Sequence, residues 1–426
     1  MERILRFVFS ELYGNLFLDG DLEDLLAPRI KDLAAATAVL SNIYTRNRGA
    51  LSASLLSSED FRKAYLSYFL PCNLGKFKIA LEELFAHADV PPLFPPKWRV
   101  LDLGSGPGTQ LLGMLLFLEA SGRKGVLLEW LAVDAIEENL RLARVLSGHT
   151  AKSLWGEESI RKLVLGTRRA VVGPSFSVGD EPPFQLIVAG NLLNELFRKE
   201  PDRLEKRYKL LARITRRHLS SSGFLVLMEP ALQETSRELL MLRDQLVTRG
   251  GFHVYAPCVH DNPCPAVAAG NLADWCHEDR PWLPPRHIRK IDSLIGNRKS
   301  SLKYSYAVLS RHPIASQSLR ERFPIIPLRA DAASSETAKG HEIWRVVSER
   351  MKEKGKSSVF LCGQPGRIRV TRLNRDESPM NWPIGRLKRG QVIAASGLQL
   401  KKEGDWRVEK ASPIQIIQNV SPGEEA

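Results

Sequence analysis

Apolar and polar positions change their spacing along the chain, and the changes mark different kinds of element. In residues 21–44 and 58–88 apolar side chains recur every three or four positions, which predicts amphipathic helices. One such face consists of Phe77, Leu81, Leu84 and Phe85. The run PPLFPPK at 91–97 cannot propagate a helix, so we expect a helical N-terminal region to end near residue 92.

Strand-like and helix-like patterns alternate in residues 93–312. Apolar runs predict strands at Trp98–Leu103, in WLAVD, from Phe184 and from Gly223. A helix is predicted at 234–248, and two further strands, FHVYAPC and KYSYAVLSR, follow it. This alternation predicts an α/β domain built on a mainly parallel sheet.

The C-terminal part of the chain has short strand-like runs at close spacing. After a linker and a predicted short helix, HEIWRVVSERMKEKG, come SSVFLC, RIRVTRL, GQVIAAS and the hairpin-like LQLKKEGDWRVEK. Short strands separated by Gly, Asn and Asp turns are typical of a small barrel of the OB type. The chain is therefore predicted to begin with a helical region at 1–92, followed by an α/β domain at 93–312 that carries a cysteine-rich insertion at 256–290. A linker with a short helix at 313–355 and a basic OB-like β-barrel at 356–418 complete the prediction.

Positive charge is concentrated in the tail. The chain has a formal net charge of +13, and residues 351–410 hold fourteen Lys and Arg against six Asp and Glu. A polyanion, most commonly nucleic acid, is the partner that such an excess favours. Basic side chains around an aromatic ring resemble a phosphate-tracking groove with a stacking platform, the alternative being a solvated barrel face. The set is Arg367, Arg369, Arg372, Arg386, Lys388, Arg389 and Trp382.

The composition also bears on the compartment. Five cysteines in 426 residues are too few for a disulfide-stapled secreted protein, so we expect a reducing environment. The N-terminal MERILRFVFSELYGNLF resembles neither a signal peptide nor an acid-poor transit sequence. No apolar run approaches the roughly 20 residues of a membrane span. These features predict a monomer without a membrane partner in a bacterial cytoplasm, with the mitochondrial matrix less favoured.

Three of the five cysteines lie in one proline-broken segment, PCVHDNPCPAVAAGNLADWCHEDRPW, which begins at Pro257. Five and then eleven residues separate Cys258, Cys264 and Cys276, so one irregular loop can wrap a single ion or cluster. A fourth thiolate would come from Cys362 in the tail or from its rival Cys72. Unrelated buried thiols are the bland alternative.

The kind of metal group stays open at the level of spacing. Four thiolates suit zinc and an iron–sulfur cluster equally, and His260 or His277 could complete a zinc site with three thiolates. If the fourth thiolate belongs to the tail, the site would pin the tail to the domain that carries the loop.

A glycine-rich turn follows the first predicted strand of the α/β domain. Gly104, Gly106 and Gly108 in LDLGSGPGTQ would let the backbone approach a nucleoside-like ligand. The second strand ends in Asp134, which is placed to hold a ribose by its hydroxyls. Asp102 precedes the turn and would repel a pyrophosphate, so the pattern departs from the dinucleotide fingerprint.

The loop from Gly190 to Phe197 would lie at the carboxyl edge of the sheet, where substrates bind in such folds. Asn194 and Glu195 are candidates for orienting a target, and Asn191 lies beside them. The loop contains neither an Asn-Pro-Pro-aromatic motif nor a Pro-Cys motif. The alternative is that these side chains cap the following helix. The sequence therefore identifies no catalytic residue beyond the candidates Asn194 and Glu195.

The segment LDLGSGPGTQ resembles the first motif of class I S-adenosylmethionine-dependent methyltransferases, whose cofactor has no phosphate. This resemblance implies a Rossmann-like sheet closed by an antiparallel pair, with the cysteine loop inserted between its last two strands. It also implies that S-adenosylmethionine is bound by Asp102, Gly104, Ser105, Gly106, Gly108, Asp134 and Asn191.

Over roughly residues 60 to 400 the chain resembles the methyltransferase-like small-ribosomal-subunit assembly factors of mitochondria and bacteria. The matching segments are LDLGSGPGT, NLLNEL, the P-C-x-H-x-x-x-C-P and D-W-C-H sequences, KYSYAVLSR and F-L-C-G. The chain departs from the family at Glu278, where an aromatic residue is common, and its linker fits no recognised pattern. In that family four cysteines hold a [4Fe–4S] cluster, which the resemblance carries over to Cys258, Cys264, Cys276 and Cys362.

The resemblance implies a factor that binds S-adenosylmethionine and contacts small-subunit ribosomal RNA during assembly or translation. The alternative is an active ribosomal RNA methyltransferase with a structural zinc or iron–sulfur site.

Overall fold

The computed structural model describes residues 1–14, 21–52, 54–86, 97–123, 126–157, 159–312, 342–401 and 404–419. The first domain boundary, near residue 92, and the predicted linker through 341 lie outside these ranges. Within the described ranges, no helix is both long and apolar enough to cross a membrane.

Five α-helices lie in the described part of the N-terminal region, and most of them pack against helices of the following domain. The predicted apolar face on residues 77–85 is buried. Gly113 lets the last of these helices pack closely, because a Cβ there would lie 3.0 Å from Phe77. A π-helical turn, Tyr65–Phe69, precedes that helix. The helices are α1 (Glu2–Tyr13), α2 (Leu22–Leu26), α3 (Ile30–Thr45), α4 (Glu59–Ala64) and α5 (Leu70–Phe85).

The α/β domain contains the first sheet. Its strands are β1 (Lys97–Leu103), β2 (Leu127–Asp134), β3 (Leu163–Arg169), β4 (Phe184–Gly190), β5 (Leu219–Pro230), β6 (His253–Ala256), β7 (Glu278–Pro281) and β8 (Ser301–Ser310). The helices between them are α6 (Thr109–Ala120), α7 (Glu137–Trp155), α8 (Arg203–His218), α9 (Gln233–Gly250), α10 (Pro265–Ala268) and α11 (Arg286–Leu294).

The strand order of the first sheet is β3-β2-β1-β4-β5-β8-β6, with β7 also paired to β8. Strands β1 to β5 run parallel, and β8 is antiparallel to both β5 and β6. The class I methyltransferase sheet with its antiparallel closing pair is therefore confirmed. The centre of the sheet is covered on both faces, which explains why its strands read as continuous apolar runs.

Two strands of the first sheet escaped sequence reasoning. Strand β3 is the edge strand beyond β2, and half-buried or exposed side chains run along its whole length. It carries Gly166, Arg168 and Arg169, which weaken a strand pattern. Strand β7 has only four residues, EDRP, three of them charged.

The C-terminal domain is the predicted β-rich unit. Its single sheet has the order β14-β15-β12-β11-β9-β13-β16, with β10 paired to β11, and a separate apolar core lies on it. The strands are β9 (Glu342–Val346), β10 (Met351–Glu353), β11 (Lys356–Gly363), β12 (Gly366–Leu373), β13 (Val392–Ala395), β14 (Gln399–Leu400), β15 (Trp406–Val408) and β16 (Ile414–Gln418).

The short helix predicted before residue 356 is wrong. Residues 342–346 form strand β9, which pairs with β11 on one side and β13 on the other. Trp344 and Val346 alternate into the apolar core, while Arg345 points the opposite way. Alternating aromatic and β-branched residues favour a strand once neighbouring strands are available. The C-terminal domain therefore begins before the predicted boundary at 356.

Four buried charges join the three regions. The Arg345 guanidinium donates to Glu83 in α5 at 2.7 and 2.8 Å and to Glu278 in β7 at 2.9 Å. Arg280 donates to the same two carboxylates at 2.9 Å each. All four side chains are buried. Burial tends to raise the pKa of Glu83, but the charges of Arg345 and Arg280 outweigh it and hold that pKa below its usual value.

Replacing Arg345 tests how strongly this cluster holds the regions together. Arg345→Met would leave two buried carboxylates with one arginine between them, so we expect the free energy of unfolding in urea to fall by about 3–5 kcal/mol. Arg375→Met is the control, because Arg375 is exposed, and it should stay within about 0.5 kcal/mol of wild type. Equal stabilities of the two variants would contradict a structural role for the cluster.

Candidate cofactor cleft and thiol site

The glycine-rich turn between β1 and α6 adopts a backbone that disfavours other residues. Gly104, Gly106 and Gly108 have φ values of 68°, 54° and 83°, in the left-handed region. The Ser105 amide donates to Val133 O at 2.9 Å, so the turn is fastened to the end of β2.

The three glycines have different surroundings. A Cβ on Gly104 would lie 2.9 Å from Leu192, and one on Gly108 would lie 3.1 Å from Ala143 in α7. A Cβ on Gly106 would have no neighbour within 4 Å. Gly104 and Gly108 thus serve close packing, whereas Gly106 faces open space.

Asp134 braces this turn. One carboxylate oxygen accepts from the Gly106 amide at 2.9 Å, and the other accepts from Ile136 N at 2.9 Å and Asn139 Nδ2 at 3.1 Å. A carboxylate has about four lone-pair sites, so some accepting capacity remains. Asp134, which the sequence predicts to bind a ribose, therefore also supports the glycine turn. The spacing of the residues did not reveal this second role.

Asp102 at the end of β1 is fully buried, and the Trp130 side chain beside it does not make a well-aligned hydrogen bond to either carboxylate oxygen. Burial raises its pKa to about 8, and the charge of Asp134 adds to the shift. A buried carboxyl left without a partner is costly unless it stays protonated. Asp102 is therefore largely neutral near pH 7.

The loop after β4 holds the candidates Asn191, Asn194 and Glu195. Asn191 has a φ of 57°, a conformation that asparagine tolerates better than most residues. The Asn194 amide donates to Asn191 O at 3.0 Å, and its oxygen accepts from Arg48 at 2.8 Å. The capping alternative is wrong, because the helix that follows, α8, begins only at Arg203.

Arg48 is a member of this site that sequence reasoning missed. It comes from the N-terminal region, is buried, and contacts a loop 146 residues away. Glu195 lies in the same loop, and its side chain is exposed. Desolvation by the surrounding protein nevertheless raises its pKa to about 7, although the positive charge of Arg48 opposes this rise. The burial of Arg48 in an exposed-looking segment, NRGA, leaves no signal in the sequence.

The four predicted thiol ligands line one cavity of about 50 Å³. Cys258, Cys264 and Cys276 come from the insertion between β6 and β8, and Cys362 comes from β11. Cys72 lies elsewhere, on α5, where it is buried in the core and its thiol donates to Tyr68 O at 3.2 Å.

Electrostatics ties the four thiols to one another. Burial raises the pKa of Cys264 to about 12, and Cys258 adds to this shift. Burial also raises the pKa of Cys276 and Cys362 far above the usual value, with further contributions from neighbouring thiols. The described residues contain no group of three or more His, Cys, Asp or Glu in an arrangement that could hold a metal ion.

Arginines surround the cavity. Arg243 of α9 is buried and donates to the carbonyl oxygens of Asn262 and His260 at 2.6 and 2.7 Å. It also pairs with Asp244, whose carboxylate accepts from the Cys264 amide at 3.0 Å. Burial raises the pKa of the Cys258 thiol, and the positive charge of Arg243 opposes this rise. Helix α9 thereby fixes the shape of the cysteine loop.

Several polar contacts hold the cysteine loop against the C-terminal sheet. His260 Nε2 lies 3.4 Å from the Cys362 sulfur, and Asn262 donates to Gln364 O at 2.9 Å. Arg367 of β12 pairs with Asp274. Arg389 donates to His277 O at 2.9 Å. Both predicted zinc-completing histidines thus lie beside the junction.

The predicted phosphate groove in the tail is divided between two roles. Arg367, Arg372 and Arg389 are committed to contacts within the protein, and Arg372 is buried against Asn381 and Glu377. Arg369 pairs with Glu353. Exposed members are Trp382, Arg386 and Lys388, and the Arg386 guanidinium stacks 5.0 Å from the Trp382 ring centre.

A family model described as mitochondrial small ribosomal subunit Rsm22 matches residues 61–379, which is more than half of the chain. The chain belongs to this family. The match confirms the family resemblance drawn from the sequence. The prediction of a bacterial cytoplasmic protein is wrong, because the Rsm22 family is described as mitochondrial.

Comparison with solved structures places methyltransferases among the similar chains. The plantazolicin methyltransferase BpumL bound to SAH is 12% identical, with 68% of this chain and all of that chain covered and a TM-score of 0.35. The YjhP protein of E. coli is 12% identical, covering 55% and 92% of the two chains, with a TM-score of 0.29. No curated protein sequence matches the chain. At these scores the fold assignment rests on strand order alone.

Substitution at Gly106 tests the cofactor cleft. The side chain introduced by Gly106→Val would fill the open space at the turn, where we expect S-adenosylmethionine to bind. Calorimetry should therefore show that binding of S-adenosylmethionine is abolished. Gly122→Val is the matched control, because Gly122 has a φ of 70° and also has no neighbour near its Cβ. Unchanged affinity in Gly106→Val, or equal losses in both variants, would argue against a ligand at this turn.

Proposed function

We propose that this member of the Rsm22 family binds S-adenosylmethionine, holds an iron–sulfur cluster and contacts the ribosomal RNA of the small subunit, acting in its assembly or in translation. The observation that carries the proposal is the meeting of four thiols at the junction of two domains. Three belong to an insertion in the α/β domain, and the fourth belongs to β11 of the C-terminal sheet.

The donor set and the space fit a cluster. A [4Fe–4S] cluster is held by four cysteine thiolates, so its ligands surround a volume. A zinc ion needs its ligands around one point, at about 2.3 Å for sulfur. The cavity of about 50 Å³ exceeds the 10–15 Å³ that a water molecule requires, which leaves room for more than one atom.

The surrounding charge is compatible with four ligating thiolates, although Glu278 also lines the cavity and each of the three arginines there is already paired with a carboxylate. Arg243, Arg345 and Arg367 line the cavity together with the four thiols. Their positive charges would compensate the negative charge of ligating thiolates. When bound, the cluster would supply iron–thiolate bonds that cross the domain junction. Loss of the cluster would therefore loosen the C-terminal sheet and couple iron supply to the state of the protein.

The cleft above the first sheet supports S-adenosylmethionine as the second ligand. The left-handed glycine turn leaves the space at Gly106 open, and Asp134 retains accepting capacity beside it. The family description names the small ribosomal subunit, and the net charge of +13 suits a ribosomal RNA partner.

An active RNA methyltransferase is the second candidate, and one observation favours it. Glu195 lies in the loop after β4, close enough to Asp134 for the two carboxylates to interact, so a candidate general base stands beside the cofactor cleft. Methyl transfer from S-adenosylmethionine to small-subunit RNA distinguishes the two candidates. Glu195→Gln is the control variant for this assay. A substitution at Asp134 would be less suitable, because Asp134 also supports the glycine turn.

Iron content tests the thiol site. Protein purified without oxygen should be brown and contain about four irons per chain. Cys362→Ser removes the ligand from the tail, so we expect its iron content to fall severalfold. The matched control is Cys72→Ser, which changes a thiol packed far from the cavity and should retain the iron. Colourless protein with one zinc, or full iron in Cys362→Ser, would overturn the assignment.

A further inference from the structure

Helix α11 presents a row of cations to solvent. Arg286, Arg289 and Lys290 are exposed, and their spacing of three and four residues places them on one face of the helix. Arg298 is exposed just beyond the helix. We call these four residues the α11 basic surface.

The α11 basic surface is not neutralised within the described part of the chain. Arg289, Lys290 and Arg298 make no ion pair or side-chain hydrogen bond there, whereas Arg286 has a loose pair with Glu23 at 3.8 Å and also interacts electrostatically with Asp21. Like charges three and four residues apart on a helix repel one another and destabilise it. This repulsion would be relieved by an external anion.

Buried contacts hold the helix in place. His287 lies with Nε2 2.8 Å from Ser67 O, and Ile288 and Ile291 are fully buried. Asp292, the one acid in α11, faces inward and accepts from Tyr68 OH and from Lys299 N. The outward face therefore carries cations without an acidic neighbour on the same helix.

The geometry selects among anionic partners. A helix that lies on a membrane must insert an apolar face, but the apolar face of α11 is packed against the protein. Only Leu283 and Leu294, 46% and 51% exposed, flank the cations. A row of exposed Arg and Lys, three of them without an ion pair in the described chain, instead fits the repeated phosphates of a nucleic acid backbone.

We propose that the α11 basic surface binds the phosphate backbone of small-subunit ribosomal RNA. This inference rests on the proposed function and specifies where the RNA is contacted. It shifts the expected RNA contact away from the tail, where Arg367, Arg372 and Arg389 are occupied in holding the protein together.

RNA binding measured against salt concentration tests the surface. The full-length protein is titrated into fluorescent fragments of small-subunit RNA, and the dissociation constant is followed by anisotropy. Log affinity decreases as log salt concentration increases. In Arg289→Ala/Lys290→Ala this decrease should become less steep, with the magnitude of the slope smaller by about 1.4–1.8, as expected for two lost phosphate contacts. Arg161→Ala/Arg216→Ala is the control, because both residues are exposed and neither has an ion pair in the described chain.

The outcomes separate this inference from the proposed function. A wild-type protein that binds no small-subunit RNA would overturn the RNA-binding part of the proposed function and this inference with it. If wild type binds but the α11 variant matches the Arg161/Arg216 control, the α11 assignment is wrong while RNA binding stands. A larger slope change in Arg386→Ala/Lys388→Ala would return the contact to the tail. Binding to phosphatidylglycerol vesicles is measured for the same proteins. If wild type binds the vesicles and Arg289→Ala/Lys290→Ala does not, while the variant still binds RNA like wild type, the surface would be assigned to membranes.

Discussion

The buried charge cluster constrains the arrangement of the whole molecule. Glu83, Glu278, Arg280 and Arg345 come from the N-terminal region, the insertion and the C-terminal sheet, and they balance one another away from water. A buried charge without its partner costs several kcal/mol. Each region therefore depends on the other two for a low-energy environment, and the domains cannot separate without exposing or stranding these charges.

The thiol site follows from the same arrangement. Cys362 lies opposite Arg345 in the pairing of β11 with β9, so the contact that seats Arg345 also brings Cys362 to the cysteine loop. A small apolar contact reinforces the junction, because Val259 of the loop packs with Val392 and its neighbours in the C-terminal sheet. The cofactor cleft lies in the first sheet, at the glycine turn after β1. The protein thus combines a locally built cleft with a thiol site that exists only when two domains meet.

Local sequence patterns predicted the strand, turn and helix at the cleft, and long-range contacts explain what those patterns missed. The strand, glycine turn and helix around Gly106 are contiguous, so their pattern was readable. Strand β9 was predicted as a helix because its conformation depends on pairing with β11 and, further along the chain, with β13, which a local pattern does not show. Arg48 and Arg345 reach carboxylates or amides more than a hundred residues away, and a single sequence carries no trace of such pairs. An arginine between Trp344 and Val346 was the one available hint, since charged residues are rarely buried unless paired.

Hydrogen exchange with and without the cluster tests most directly whether the thiol site joins the two domains. Protein loaded with iron and sulfide is compared with the same protein after chelation. The account predicts that amides in residues 257–277 and in β11 exchange much faster after chelation, while β1 and β4 keep their protection. Identical exchange in the two forms, or a uniform loss of protection throughout the chain, would contradict it.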